Sequence, residues 1–148
     1  VPAEPVDVIL MIGVLHHLDD ITETLQLLYT MLKPGGVIVV NEPHPANILL
    51  SFLRLIRKKI DPGYSSDQVE LSIQEMIDLY QSAGFTDVKM VPQGFFSTPF
   101  AEVIIGPQIV TKYLSGFLCR LDALMSKAPF AISRYISWNA IAVGRRDT

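Results

Sequence analysis

The first run of apolar residues along the chain is too short for an ordinary helix. Val6–Val14 is apolar apart from Asp7 and is rich in Val and Ile, a composition typical of a parallel strand buried on both faces. The spacing then becomes helical, with apolar residues at Ile21, Leu25, Leu28 and Leu32. Asp20, followed three residues later by Glu23, has the form of a capping box. This pattern predicts a strand and then a helix over 21–32.

Proline and glycine end that helix, in the sequence Lys33-Pro34-Gly35-Gly36. A second buried strand follows over Val37–Val40, which completes a strand, helix, strand unit with a right-handed crossover. Ser72 and Glu75 predict a second capping box. The remaining predicted elements are helices over 47–60, 73–83 and 109–126 and strands over 86–91 and 138–143.

Composition narrows the class of protein. A length of 148 residues with 49% hydrophobic and 18% charged residues favours one folded domain. A net charge of -3 disfavours binding to nucleic acid. The longest apolar run has eight residues, so we predict no transmembrane segment. Cys119 is the single cysteine, which indicates a reducing compartment, and we predict a cytoplasmic location.

Three stretches together resemble the class I S-adenosylmethionine-dependent methyltransferases. They read DVILMIGVLHHLDDITETLQLLYTMLKPGGVIVVNEP, EMIDLYQSAGFTDVK and SWNAIAVGRR. The resemblance is to the C-terminal half of that family. It implies an α/β fold, the C-terminal half of a doubly wound Rossmann-like sheet with a helical insertion before the last strand. The 148 residues would form a single partial domain, with 1–46 as a wall of the cofactor and active site, 47–70 as a lid or substrate helix, and 71–148 as the C-terminal helices and strand pair.

Two features of that family have no counterpart in the sequence. There is no glycine-rich loop and no acidic residue ending a second strand, the groups that hold the cofactor's nucleoside and ribose. The first residue is Val1, and an apolar strand follows almost at once. We therefore expect a piece of a longer methyltransferase, which by itself binds S-adenosylmethionine weakly or not at all.

The candidate site lies where the first two strands end, because ligands of open parallel sheets bind beyond the carboxyl ends of the strands. A histidine there suits removal of a proton from a hydroxyl acceptor. The resemblance implies that Gly13 lies near the methionine portion of the cofactor and that His16 faces the transferred methyl. The predicted catalytic residues are His16, Asn41 and Glu42. The predicted cofactor-binding residues are Ile12, Gly13, Val14 and His17, and the predicted substrate residues are His44 and Arg54.

Each of these residues also has a structural interpretation. His16 could order its loop, His17 could pack on the following helix, and the strand-end pair Asn41 and Glu42 could simply be solvated. The adjacent histidines point apart, unlike metal-binding pairs four residues apart on a helix, so we predict no metal site. The apolar stripe over 110–125 is typical of a core or a dimer face more than of a ligand channel.

The sequence thus predicts part of a methyltransferase that acts on a small-molecule or lipid-linked acceptor, at oxygen. Two other classes stay open: a non-catalytic binding or scaffold module, and a peripheral membrane domain that uses the basic amphipathic helix over 47–60. In the family's strand order, Val6–Val14 would also lack its neighbour on one side. We therefore expect self-association through this exposed strand edge.

Overall fold

The computed structural model describes residues 4–43, 45, 71–98 and 108–148. A 3-10 turn over Leu15–His17 follows the first strand. The strands and helices are, in chain order, β1 (Val6–Ile12), α1 (Ile21–Met31), β2 (Leu32–Pro43), α2 (Ile73–Ser82), β3 (Thr86–Gln93), α3 (Gln108–Met125), α4 (Phe130–Ser133) and β4 (Asn139–Arg145). The predicted helix over 47–60 lies outside the described residues.

The four strands form one sheet in the order β1-β2-β4-β3. β1 and β2 run parallel, as the crossover through α1 requires, and Ile12 lies opposite Asn41. β4 is antiparallel to both β2 and β3. The mixed sheet confirms the predicted α/β fold, and β1 stands at its edge with β2 as its one neighbour among the described strands.

The hydrophobic core lies between one face of this sheet and the helices α1 and α2. Ile38 and Val40 of β2 are fully buried there, with Leu25 of α1 and Met76 of α2. The opposite residues of the same strand, such as Val39, are only partly buried. Alternation along β2 therefore directs every second side chain into the core and leaves the other face of the sheet more open.

That open face corrects the prediction that the first strand is buried on both sides. Val8, Leu10 and Ile12 are each more than 60% exposed, whereas Ile9 and Met11 pack against the core. The continuous apolar run in the sequence could not reveal this, since alternation in burial is invisible when both sets of positions are apolar.

The long helix α3 also differs from its predicted single stripe. Leu118 is buried, but Tyr113, Phe117 and Leu124 are mostly exposed. At 100° per residue these three exposed residues share one side of the helix, the side of the predicted stripe, and the buried Leu118 lies outside that stripe. The short helix α4 was not predicted at all.

The helix starts follow the sequence closely. Asp20 accepts a hydrogen bond from the Glu23 N–H at 2.8 Å, and Ser72 and Glu75 form the full reciprocal capping box. The predicted turn over 33–36 instead lies inside β2, as an irregularity between the pairs Val6–Leu32 and Val8–Val37.

Candidate active site

Glu42, at the end of β2, fixes the loop that follows β1. Its side chain is 1% exposed, and Oε1 accepts hydrogen bonds from the N–H groups of Val14 at 2.9 Å and Leu15 at 2.6 Å. One residue earlier, the Asn41 carbonyl accepts from the Gly13 N–H at 2.9 Å. A buried carboxylate is costly unless it is hydrogen-bonded, and these donors offset that cost. The loop over 13–16 is therefore held in one position against β2.

The second oxygen of the same carboxylate meets His16. Nδ1 of His16 lies 2.5 Å from Oε2 of Glu42, and the His16 side chain is 12% exposed. An acceptor at this position favours the tautomer with hydrogen on Nδ1, which leaves the Nε2 lone pair free to accept a proton. The arrangement can therefore present a neutral imidazole base in a fixed orientation.

Two further aromatic side chains interact with this pair. The ring of His17 is exposed and lies 4.0 Å from that of His16, centroid to centroid, so the adjacent histidines do not point apart as the sequence predicted. Tyr80 of α2 is fully buried, and its hydroxyl has no hydrogen-bond partner within the described part of the chain. Burial raises the pKa of Tyr80, and the negative charge of Glu42 raises it further. Tyr80 therefore stays neutral, which makes it part of the core and not a second base.

The residues at the start of the loop form an open rim. Gly13 has φ +60°, and apart from its chain neighbours no atom of the described residues lies within 4 Å of the place where a Cβ would stand. Ile12 and Val14 beside it are exposed. A left-handed glycine with free space next to it allows a ligand to approach the backbone closely.

Asn41 belongs to the other face of the sheet from Glu42, because neighbouring residues of a strand point to opposite sides. It borders a pocket of about 350 Å³ that no sequence argument identified. Its Oδ1 atom is buried and has no hydrogen-bond partner in the described ranges. The pocket is lined by Asn41, Gln93, Gly94, Phe95, Ser97, Thr98, Cys119, Asp122, Ala123, Ser126 and Asn139.

The structure thus separates the predicted residues into two groups. His16 and Glu42 come together on one side of the loop, and Ile12 and Asn41 lie opposite each other on the other side of β1 and β2. His44 and Arg54 lie outside the described residues. In the described ranges, no three side chains of His, Cys, Asp or Glu form a group that could hold a metal ion. None of the described helices is long and apolar enough to cross a membrane.

Comparison with known proteins gives the family and the fold. The family described as "Methyltransferase domain" matches residues 1–89, well over half of the chain. A SAM-dependent methyltransferase of Thermotoga maritima, described as a possible histamine N-methyltransferase, superposes with a TM-score of 0.62 over 99% of this chain at 18% identity. A SAM-dependent methyltransferase of Archaeoglobus fulgidus superposes with a TM-score of 0.57 over 96% of the chain at 17% identity.

The chain is shorter than these proteins. It spans 59% of the Thermotoga structure and 60% of the Archaeoglobus one. Among curated proteins, a tRNA-2-methylthio-N(6)-dimethylallyladenosine synthase of Ehrlichia chaffeensis is 34% identical over 86 residues, which is 57% of this chain and 20% of that protein.

Proposed function

We propose, because this chain belongs to the methyltransferase domain family, that it is part of an enzyme that methylates a small-molecule acceptor, with His16 as the general base. The cofactor of the family is S-adenosylmethionine. The observation that carries the proposal is the contact of 2.5 Å between His16 Nδ1 and Glu42 Oε2. The buried carboxylate holds the imidazole in one orientation, as a general base requires.

The residues present fit one wall of the cofactor site. Gly13 leaves open space beside the backbone, and the exposed side chains of Ile12 and Val14 offer apolar surface on either side of it. When bound, S-adenosylmethionine supplies an electrophilic methyl group on a positively charged sulfonium. Ile12, Gly13 and Val14 would hold it from this side, and His17 stays a proposed contact at the same loop.

His16 would take the proton that the acceptor loses when it is methylated. The Nε2 lone pair is free because Nδ1 is engaged by Glu42. A neutral imidazole can serve as the general base for either an oxygen or a nitrogen acceptor. One oxygen of Glu42 accepts hydrogen bonds from the loop and the other contacts His16, so we assign Glu42 as a positioning residue.

The proposal is tested with the full-length protein and S-adenosylmethionine labelled in its methyl group. We expect label to pass to a component of a small-molecule extract containing amines and alcohols, and heat-denatured protein is the control. Cofactor binding without any transfer would instead favour the non-catalytic binding module that the sequence also allows.

A further inference from the structure

We propose that the pocket beside Asn41 is a binding site that selects small molecules carrying a protonated amine over those carrying a carboxylate. This inference goes beyond the proposed function, since the pocket lies on the other face of the sheet from His16 and Glu42. It concerns residues of β2, β3, β4 and α3 that no sequence motif singled out.

The position of the pocket suits a small ligand. Asn41 lies directly opposite Ile12 in the sheet, and its carbonyl accepts from the Gly13 N–H. The pocket lies at the carboxyl ends of β2 and β3, where open sheets bind their ligands. Its volume of about 350 Å³ is at the lower end of the range of small-molecule sites.

Charge gives the pocket its selectivity. Asp122 is the one ionised residue among the described residues that line it, and no Lys, Arg or His is among them. Three donors already reach this carboxylate: the Phe96 N–H, the Ser97 N–H and the Ser97 hydroxyl. All three are neutral groups, so the negative charge remains. A carboxylate ligand would meet that charge with no cation to compensate it, whereas an ammonium would be attracted.

Hydrogen-bonding capacity points to the same class of ligand. The buried Oδ1 atom of Asn41 lacks a donor within the described part of the chain. The amide side chains of Gln93 and Asn139 also line the pocket and can each accept from such a ligand. An ammonium has three N–H donors and can donate to Asn41 Oδ1, whereas a carboxylate has no donor for it.

The wall that carries Asp122 is fixed before any ligand arrives. The carboxylate ties the segment over 96–97 to α3, with the Phe96 N–H 2.7 Å from Oδ1. At the start of the same segment, the Gly94 carbonyl accepts from the Trp138 N–H at 2.7 Å. Gly94 has φ +66°, and a Cβ there would stand 2.1 Å from the Thr98 hydroxyl oxygen. A preformed site loses less entropy when the ligand binds.

The test uses three probes with the same ring and different head groups: 2-phenylethylamine, 2-phenylethanol and phenylacetate. Each is titrated into the cofactor-free 148-residue chain while NMR follows the side-chain amides of Asn41, Gln93 and Asn139. We expect the amine to bind at least about tenfold more tightly than the acid at low salt, with the alcohol between them. The three amides should shift with the amine.

Charge-introducing variants locate the effect. Ser126 lines the pocket and is exposed, so Ser126→Lys adds a cation there without disturbing the core. Gly116→Lys adds the same charge to the same helix where a Cβ meets nothing within 4 Å, outside the lining. We expect Ser126→Lys to weaken the amine and strengthen the acid, each by several-fold, while Gly116→Lys changes neither.

Three results would overturn the inference: no probe binding to the parent chain, acid binding as tight as amine binding, or an amine-to-acid ratio that Ser126→Lys leaves unchanged. None of them depends on the cofactor. Failure of the pocket inference is therefore distinguishable from failure of methyl transfer, which the labelled cofactor tests separately.

Discussion

At the scale of single residues, one buried carboxylate joins the loop, the base and the strand end. Glu42 Oε1 holds the backbone of Val14 and Leu15, and Oε2 holds His16. Because the two oxygens bind different groups, a substitution can disturb the position of the base without disturbing the order of the loop.

We predict that Glu42→Gln leaves the loop ordered but removes the ability of His16 to act as a base. The amide oxygen can still accept from Val14 and Leu15, but the amide NH₂ would donate to His16 Nδ1 and force hydrogen onto Nε2. Turnover of the full-length enzyme should fall by about 10² or more. Nitrogen NMR of the imidazole should show the change of tautomer. An unchanged tautomer, or turnover within about threefold of the parent, would contradict the positioning role.

The sequence predicted both His16 and Glu42 as site residues but not the contact between them. His16 and Glu42 were both predicted because each follows a strand and the carboxyl ends of parallel strands meet at one edge. Their contact joins residues 26 positions apart, and no local pattern encodes it. The sequence did not predict Asp122 or Gln93 as site residues. Asp122 lies within a helix that was predicted from the spacing of its apolar residues alone.

At the scale of elements, close packing positions β4 against α2, and capping residues set where α2 begins and ends. Gly144 of β4 lies against α2, and an added Cβ would be 2.6 Å from Tyr80 Cδ1 and 3.0 Å from Phe85 Cβ. The capping box at Ser72 begins α2, and Gly84, at φ +96°, follows its end. The capping box and the glycine after the helix are features that sequence patterns predict well, since they depend on a few neighbouring residues, whereas the packing of Gly144 against Tyr80 joins distant residues.

A matched pair of glycine substitutions tests the packing. We predict that Gly144→Ala lowers the free energy of unfolding by about 1–3 kcal/mol, because the ring of Tyr80 must move in a filled core. Gly116→Ala, in the exposed middle of α3 with nothing within 4 Å, should raise it by about 0.5–1 kcal/mol. Denaturant unfolding measures both. Equal effects at the two positions would mean that the Tyr80 contact is loose.

The capping box predicts a dependence of stability on pH. Hydrogen bonds from Ser72 lower the pKa of Glu75 below its usual 4.5 in the folded state. The resulting stabilisation is fully present above the unfolded pKa and is lost as the pH falls through the lowered folded pKa. Glu75→Gln should therefore flatten the stability profile below about pH 4.5 while the parent loses stability there. Denaturant unfolding at several pH values checks this, with Glu4→Gln, at an exposed carboxylate outside the helix, as the charge control. If the parent and Glu75→Gln lost stability to the same extent as the pH falls, the capping box would not be the cause of the pH dependence.

At the scale of the whole molecule, one side of the sheet is packed by helices, whereas the other side is open at β1. α1 and α2 cover the first side, whereas Val8, Leu10 and Ile12 project from the second with more than 60% of each exposed. β1 is also an edge strand among those described. The apolar run correctly indicated a strand of a parallel sheet, but which parts of it are covered depends on what packs against the chain, which a local pattern does not contain.

We predict that the 148-residue chain self-associates through this surface. Leu10→Lys places a charge on the open face and edge strand and should reduce association, because an inward or edge lysine opposes pairing between strands. Leu27→Lys makes the same change at an exposed position of α1 and serves as the control. Light scattering over a concentration series measures the result. A parent chain that stays monomeric throughout would contradict the prediction.

The most direct test of the whole account compares His16→Ala with His17→Ala in the full-length enzyme, measuring turnover and affinity for S-adenosylmethionine side by side. The rings are neighbours, but only His16 contacts the Glu42 carboxylate among the described contacts. The account predicts that His16→Ala lowers turnover by at least about 10² with cofactor affinity nearly unchanged, and that His17→Ala keeps most of the turnover. Turnover of His16→Ala within about threefold of the parent would contradict general-base catalysis at this site.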